Sequence, residues 1–154
     1  MITQRTLTLR EALRAINAVV EFAEKNNHVG IACVVLDKDA EMIAGIKMDG
    51  RVSRFFKAAH RKAYAAAVFE RDTSAVVDMH NELEARGTRG PYDWNDPMLT
   101  TLPGGYVVVD EKENVLGSIS VAGGGGGISD WEFVDVAFAA LGEGFHHRPG
   151  SIHA

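Results

Sequence analysis

The sequence predicts an α+β domain built on an antiparallel sheet. Apolar residues step by three and four in four separate stretches, the period of helices with one buried face. β-Branched runs come in two pairs, each joined by a short polar turn, which is the mark of hairpins. The order is helix, hairpin, helices, hairpin, helix, so a doubly wound nucleotide fold, with single parallel strands alternating with helices, is excluded.

The first helix lies in "TLREALRAINAVVEFAEKNN", where Leu9, Leu13, Ile16, Val20 and Ala23 form the apolar stripe. Thr8 and Glu11 fit a capping box, each side chain satisfying an amide near the helix start. Asn26 and Asn27 suit its exit, because asparagine tolerates a left-handed conformation. "VGIACVVLD" and "EMIAGIKMD" then read as two strands around a turn at Asp37 to Asp39. In "SRFFKAAHRKAYAAAVFERD" a second helix gathers Phe55, Phe56, Ala59, Ala63, Ala66, Ala67 and Phe69 into one arc at about 100° per residue. Its alanines permit a close approach of another backbone. "SAVVDMHNELEA" predicts a third helix capped by Thr73 or Ser74, and "RGTRGPYDWNDP" a loop. The second hairpin is "GGYVVVDEKENVLGSISVA", turning at Glu111 to Glu113. Ser129 and Glu132 form another capping box ahead of a last helix carrying Phe133, Val136, Ala137, Ala140 and Leu141. Residues 143–154 show no period and read as an extended C-terminal tail of a single domain spanning 1–154.

Composition narrows the partners. The chain has 154 residues, 46% apolar and 24% charged, with a net charge of −5, values of an ordinary globular domain. A negative balance gives no reason to expect nucleic acid or anionic lipid. Cys33 is the only cysteine and lies in an apolar run, so no internal disulfide forms and a buried, inert thiol is expected. No stretch reaches the roughly 18 apolar residues of a membrane span, and the N-terminus has no signal-peptide core. A cytoplasmic location is expected.

The five glycines from Gly123 to Gly127 raise a more specific question. A Walker loop requires Lys then Ser or Thr after its last glycine, whereas Ile128, Ser129 and Asp130 follow here. Asp130 and Glu132 would also repel an anion from the helix start. A plain linker would spend conformational entropy for no return. Glycine is favoured where backbone must turn sharply or lie close to a ligand or partner chain. In an antiparallel hairpin Gly104 and Gly105 come to the same end as Gly123, so both stretches should border one space.

The segments "MDGRVSRFFKAAHRKAYAAAVF" and "GGYVVVDEKENVLGSISVAGG", with Asp130 after them, resemble the GlcG/HbpS-like family, which includes the C-terminal heme-binding domain of PduO-type adenosyltransferases. The resemblance runs from Leu7 to about Gly142. It implies a profilin-like α-β-α fold, an antiparallel sheet flanked by helices, assembled as a homo-oligomer. It also implies a pocket near Met48, Asp49, Lys62 and the glycines, and heme as a candidate cofactor, since some members bind it. Three features depart from the family pattern. Tyr106 stands where proline is usual, five glycines replace one or two, and the first helix lacks histidine, His28 coming just after it.

Candidate chemistry centres on Lys62, which falls about 40° from the centre of the second helix's apolar arc. Its stem either packs while the ammonium reaches water, or its ammonium faces a pocket to hold a carboxylate or move a proton. Asp49 is the expected counter-ion, or else a turn residue before Gly50. His60 is a candidate proton carrier or heme ligand, or a surface histidine. Tyr92 and Trp94 read as an aromatic lid or as packing. His80 and Glu84 are spaced i,i+4, but two ligands without a third make no metal site. The expected ligand-binding set is Met48, Lys62, Tyr92, Trp94, Gly104, Gly105, Gly123, Gly124 and Gly125, with Lys62, Asp49 and His60 as catalytic candidates and no metal. Two readings stand: a pocket for a small, anionic organic ligand such as heme, or a cofactor-independent isomerase, hydratase or lyase using Lys62 and a nearby histidine.

Overall fold

A computed structural model describes residues 4–151. Its elements are α1 (Leu9–Lys25), β1 (Ala32–Asp37), β2 (Met42–Lys47), α2 (Ser53–Phe69), α3 (Thr73–Ala85), α4 (Pro91–Trp94), β3 (Gly105–Asp110), β4 (Val115–Ala122), α5 (Asp130–Ala139) and β5 (Phe145–His146). The five strands form one antiparallel sheet in the order β2-β1-β4-β3-β5. Both expected capping boxes form, Thr8 with Glu11 and Ser129 with Glu132. Asp72, rather than Thr73 or Ser74, occupies the cap position of α3, and the expected loop contains the short helix α4. None of the described helices is long and apolar enough to cross a membrane.

Successive residues of a strand point to opposite faces, and here both faces are covered. Cys33, Val35, Ile119, Val121, Tyr106 and Val108 pack towards α1 and α5. Ala32, Val34, Leu36 and Ala122 pack towards Ala59 and Ala63 of α2 on the other face. The sheet is therefore the middle layer of an α-β-α sandwich, with a nearly continuous apolar run along β1. Full burial of each such valine or leucine contributes about 1.5–3 kcal/mol. Cys33 is completely enclosed, and burial pushes its thiol up to about 12, the inert state expected of it.

The alanines of α2 bring that helix onto β4. Ser118 Oγ donates to the Ala63 carbonyl at 2.7 Å, and Ser120 Oγ donates to the Ala59 carbonyl. Two serines thus occupy the buried face without an unpaired hydroxyl. Gly105 gives the same closeness on β3, because a Cβ there would stand 2.8 Å from the Lys62 carbonyl oxygen.

The C-terminal tail docks on the sheet and on the start of α3. β5 pairs with the end of β3, His146 opposite Val109 and Phe145 opposite Asp110. Asp72 N–H donates to the Arg148 carbonyl at 2.9 Å, and Arg148 N–H returns a bond to Asp72 Oδ1 at 3.2 Å. Residues 152–154 of the expected tail lie outside the described residues.

Candidate functional site

The two glycine stretches meet at one end of the sheet, as the hairpin geometry predicts. Val121 N–H donates to the Gly104 carbonyl at 3.1 Å, placing the start of β3 beside the end of β4. Gly104 has φ +117°, and a Cβ on it would lie 3.0 Å from the Val121 carbonyl oxygen and 3.2 Å from Lys62 Nζ. Only glycine fits that combination of conformation and closeness. Thr73 Oγ1 accepts from the N–H groups of both Gly104 and Gly105 at 3.0 Å, fixing this edge of the sheet.

Lys62 extends along the inner face of α2 into this corner and is only 4% exposed. Its Nζ donates to Asp130 Oδ2 at 2.8 Å and to the Val121 carbonyl at 3.2 Å. The other oxygen of Asp130 accepts from Gly124 N–H at 2.6 Å. One carboxylate therefore ties α2, the start of α5 and the glycine loop together. Asp130 is the first helical residue after the Ser129 cap, a position where the helix's partial positive charge also favours a carboxylate. Its side chain is 28% exposed, so the pair opens towards solvent on the carboxylate side.

Asp49 does not act as the counter-ion expected of it. It is exposed in the turn after β2, while Lys62 Nζ is taken by Asp130 and the Val121 carbonyl beside the end of β4. The remaining candidates disperse. Met48 is half-buried beside β1, its sulfur accepting from Ile31 N–H at 3.4 Å. His60 is half-buried on α2 and lines none of the cavities beside the glycine loop. Trp94 packs edge-on against Phe69 and His80, at 5.5 Å and 6.1 Å between ring centres, as part of the α2–α3 packing rather than as a lid. Tyr92 belongs to α4, with its side chain outside the described part of the structure. His80 lies 3.6 Å from Glu84, and no group of three metal-ligating side chains forms among the described residues.

Of the three cavities beside the glycine loop among the described residues, two of about 290 Å³ each share Gly123 and Gly124 as their common wall. The first is bounded by Lys62 and Asp130, with Arg54, Phe55, Ala58 and Leu102 opposite. The second is bounded by Asn26, Asn27, His28 and Arg51, with Gly125 and Gly126. His28 accepts from Gly30 N–H at Nδ1 (3.0 Å), so its proton is on Nε2, which donates to the Gly125 carbonyl at 3.2 Å. A wider hollow of about 590 Å³ lies at the other end of the hairpin, among Arg5, Asp110, Lys112 and Glu143. It gathers charges of both signs and no residue of the two glycine stretches.

A second polar cluster was not legible from the sequence. Tyr106 donates its phenol proton to Asp135. The His147 ring stacks on Tyr106 with centres 4.0 Å apart and planes 6° from parallel. Its Nδ1 donates to Asp72 Oδ2 at 2.5 Å. Asp72 is fully buried, and its Oδ1 also accepts from Val107 N–H at 3.1 Å. Burial, then the Asp135 carboxylate, raises the Tyr106 phenol, and the bond to Asp72 raises His147. The departure from the family pattern at Tyr106 was the available signal. Its partner His147 lies 41 positions on, a pairing that no local pattern shows.

These features define a class: an α-β-α domain on a single antiparallel sheet, with a glycine-walled corner over a buried lysine–aspartate pair. The corner lacks the phosphate-binding loop of nucleotide folds. The chain belongs to the HbpS-like family, whose profile, described as "Haem degrading protein HbpS-like", matches residues 7–139. A crystal structure of HbpS is 27% identical, with a TM-score of 0.76 over 93% of this chain and 95% of that one. A double mutant of HbpS from Streptomyces reticuli is 26% identical, with a TM-score of 0.78 over 93% and 92% of the two chains. The crystal structure of a PduOC:heme complex shares the fold at 19% identity, with a TM-score of 0.73 over 88% and 94%. No curated protein matches the chain in sequence.

Proposed function

We propose that this protein binds a small, anionic organic ligand in the glycine-walled corner, as a homo-oligomer, with heme as the first ligand to test. The observation that carries the reading is the pair of cavities sharing Gly123 and Gly124 beside the Lys62–Asp130 ion pair. Backbone without side chains lets a guest approach closely, and the apolar wall of Phe55, Ala58 and Leu102 offers contact area beside polar groups that orient a ligand. The family description and the heme complex of PduOC, a protein of the same fold, favour heme among possible guests.

The residues present fit the periphery of a heme better than its iron. Arginines stand beside an aromatic and aliphatic wall, which suits propionates and a flat ring. His28, the imidazole at the corner, has both nitrogens engaged, so ligating iron would require giving up Gly30 or Gly125. When bound, heme would supply redox or oxygen chemistry; this chain's residues account for holding and orienting its edge. The test is a hemin titration followed by the Soret band, with melting temperature measured alongside. Saturation at one per subunit with a rise in melting temperature is the expected result. A featureless titration, together with no stabilisation by any carboxylate in a ligand screen, would discard the reading.

A further inference from the structure

Lys62 is the cation that the sequence singles out, yet its Nζ is already taken by Asp130 and the Val121 carbonyl. An incoming anion would have to displace a carboxylate 2.8 Å away that is itself held by Gly124. Two other cations at this corner are differently placed. The Arg51 guanidinium lies over the Phe55 ring at 4.1 Å, and the Arg54 guanidinium over the same ring at 4.5 Å. Arg51 makes a single long bond, Nη2 to the Gly123 carbonyl at 3.4 Å, and its enclosed Nε has no partner. Neither arginine meets a carboxylate among the described residues. Two like charges on one ring repel, and an under-bonded, half-buried guanidinium is costly unless an acceptor completes it. The chain carries a net charge of −5, so a pair of arginines left without a carboxylate partner is not explained by a shortage of carboxylates.

We infer that Arg51 and Arg54, not Lys62, receive the carboxylate of the ligand, and that Lys62 is a positioning residue that holds the glycine wall through Asp130. This deepens the proposed function and rests on its reading of the glycine-walled corner as a ligand site. Arg51 borders the cavity on the His28 side, Arg54 and Phe55 border the one on the Lys62 side, and Gly123 and Gly124 belong to both. The ligand class is accordingly a flat, apolar body bearing a carboxylate at its edge. The body lies against Phe55, Ala58 and Leu102, and the acid accepts from the guanidinium fork in the planar geometry that arginine offers and lysine does not.

The probes are 2-naphthoate and the uncharged 2-naphthamide, titrated into the full chain and followed by amide NMR shifts of Gly123 to Gly125. The wild type is expected to prefer the acid over the amide by about tenfold or more, the scale of one charge-assisted hydrogen bond. Arg51→Met, and more completely Arg51→Met with Arg54→Met, should remove that preference while leaving the spectrum folded and the weak amide binding intact. Arg51→Lys should recover only part of it. Equal binding of acid and amide by the wild type, or an unchanged preference in the double variant, would overturn the arginine assignment and leave the pocket standing. Absence of glycine shifts with either probe would sink both the pocket and the assignment.

Discussion

Two carboxylates hold basic side chains against the same sheet, Asp130 with Lys62 and Asp72 with His147, and their surroundings are opposite. Around the first, glycines leave empty volume on both sides of the loop, and one carboxylate face is open. Around the second, Tyr106 and Phe138 pack on the imidazole, Trp131 stacks on Tyr106, and the buried carboxylate accepts from Val107, Arg148 and His147 together. A carboxylate paired with a basic side chain is thus no mark of a site in itself. What separates a place for a guest from a clasp is whether the neighbouring residues fill the space beside it.

The sharpest way to break that contrast is Asp72→Ala. It strands Val107 N–H and the backbone of Arg148 in a buried place, and should lower unfolding stability by about 3–5 kcal/mol in urea titrations. A loss no larger than for an exposed carboxylate would show that the clasp is superficial. Lys62→Met should cost less, about 2 kcal/mol, because Asp130 keeps partial access to water. It should also blur the glycine amide shifts on ligand addition, since the wall loses its anchor.

Glycine substitutions sharpen the comparison within the loop itself. A Cβ at Gly124 would fall 2.6 Å from Asp130 Oδ1, whereas at Gly126 it meets nothing within 4 Å. Gly124→Ala should therefore weaken probe binding severely. Gly126→Ala should leave it within about twofold and cost only the roughly 1 kcal/mol of a left-handed alanine. Equal effects at both positions would mean that the loop acts as a flexible whole.

The smallest effect expected is a pH dependence of the clasp. The folded state raises His147 above its ordinary 6.5, so its contribution is fully present below that value and fades as pH rises through the higher folded value. Wild type minus His147→Gln, measured by chemical denaturation from pH 5.5 to 9, should shrink towards alkaline pH. A difference that grows instead would reverse the assignment of the Asp72 bond.

The residues made some of this legible in advance, for local reasons. Capping boxes and apolar periods involve neighbours along the chain, so α1, α2 and α5 could be placed from them, and the hairpin rule brought Gly104 to Gly123. Lys62 was visible as a charge within an apolar arc. Its partner was not: Asp49 and Asp130 are equally plain acids in the sequence, and only the direction of the α2 stem across β4 chooses between them. Arg51 carries no mark in the sequence, and Tyr106 is marked only as a departure from the family pattern, for the same reason. Their roles depend on Phe55 lying beneath one and His147 on the other, contacts set by the packing of the layers.

The outer border of β3 has a consequence for how copies of the chain can meet. Thr73 holds Gly105 there, Asp72 takes the Val107 amide, and β5 covers Val109 and Asp110. These groups are engaged internally, whereas the opposite border, β2, has no neighbouring strand among the described residues. Among the described residues strand-to-strand joining has one open side, and a second molecule joined there would complete the ribbon and leave no template for a third.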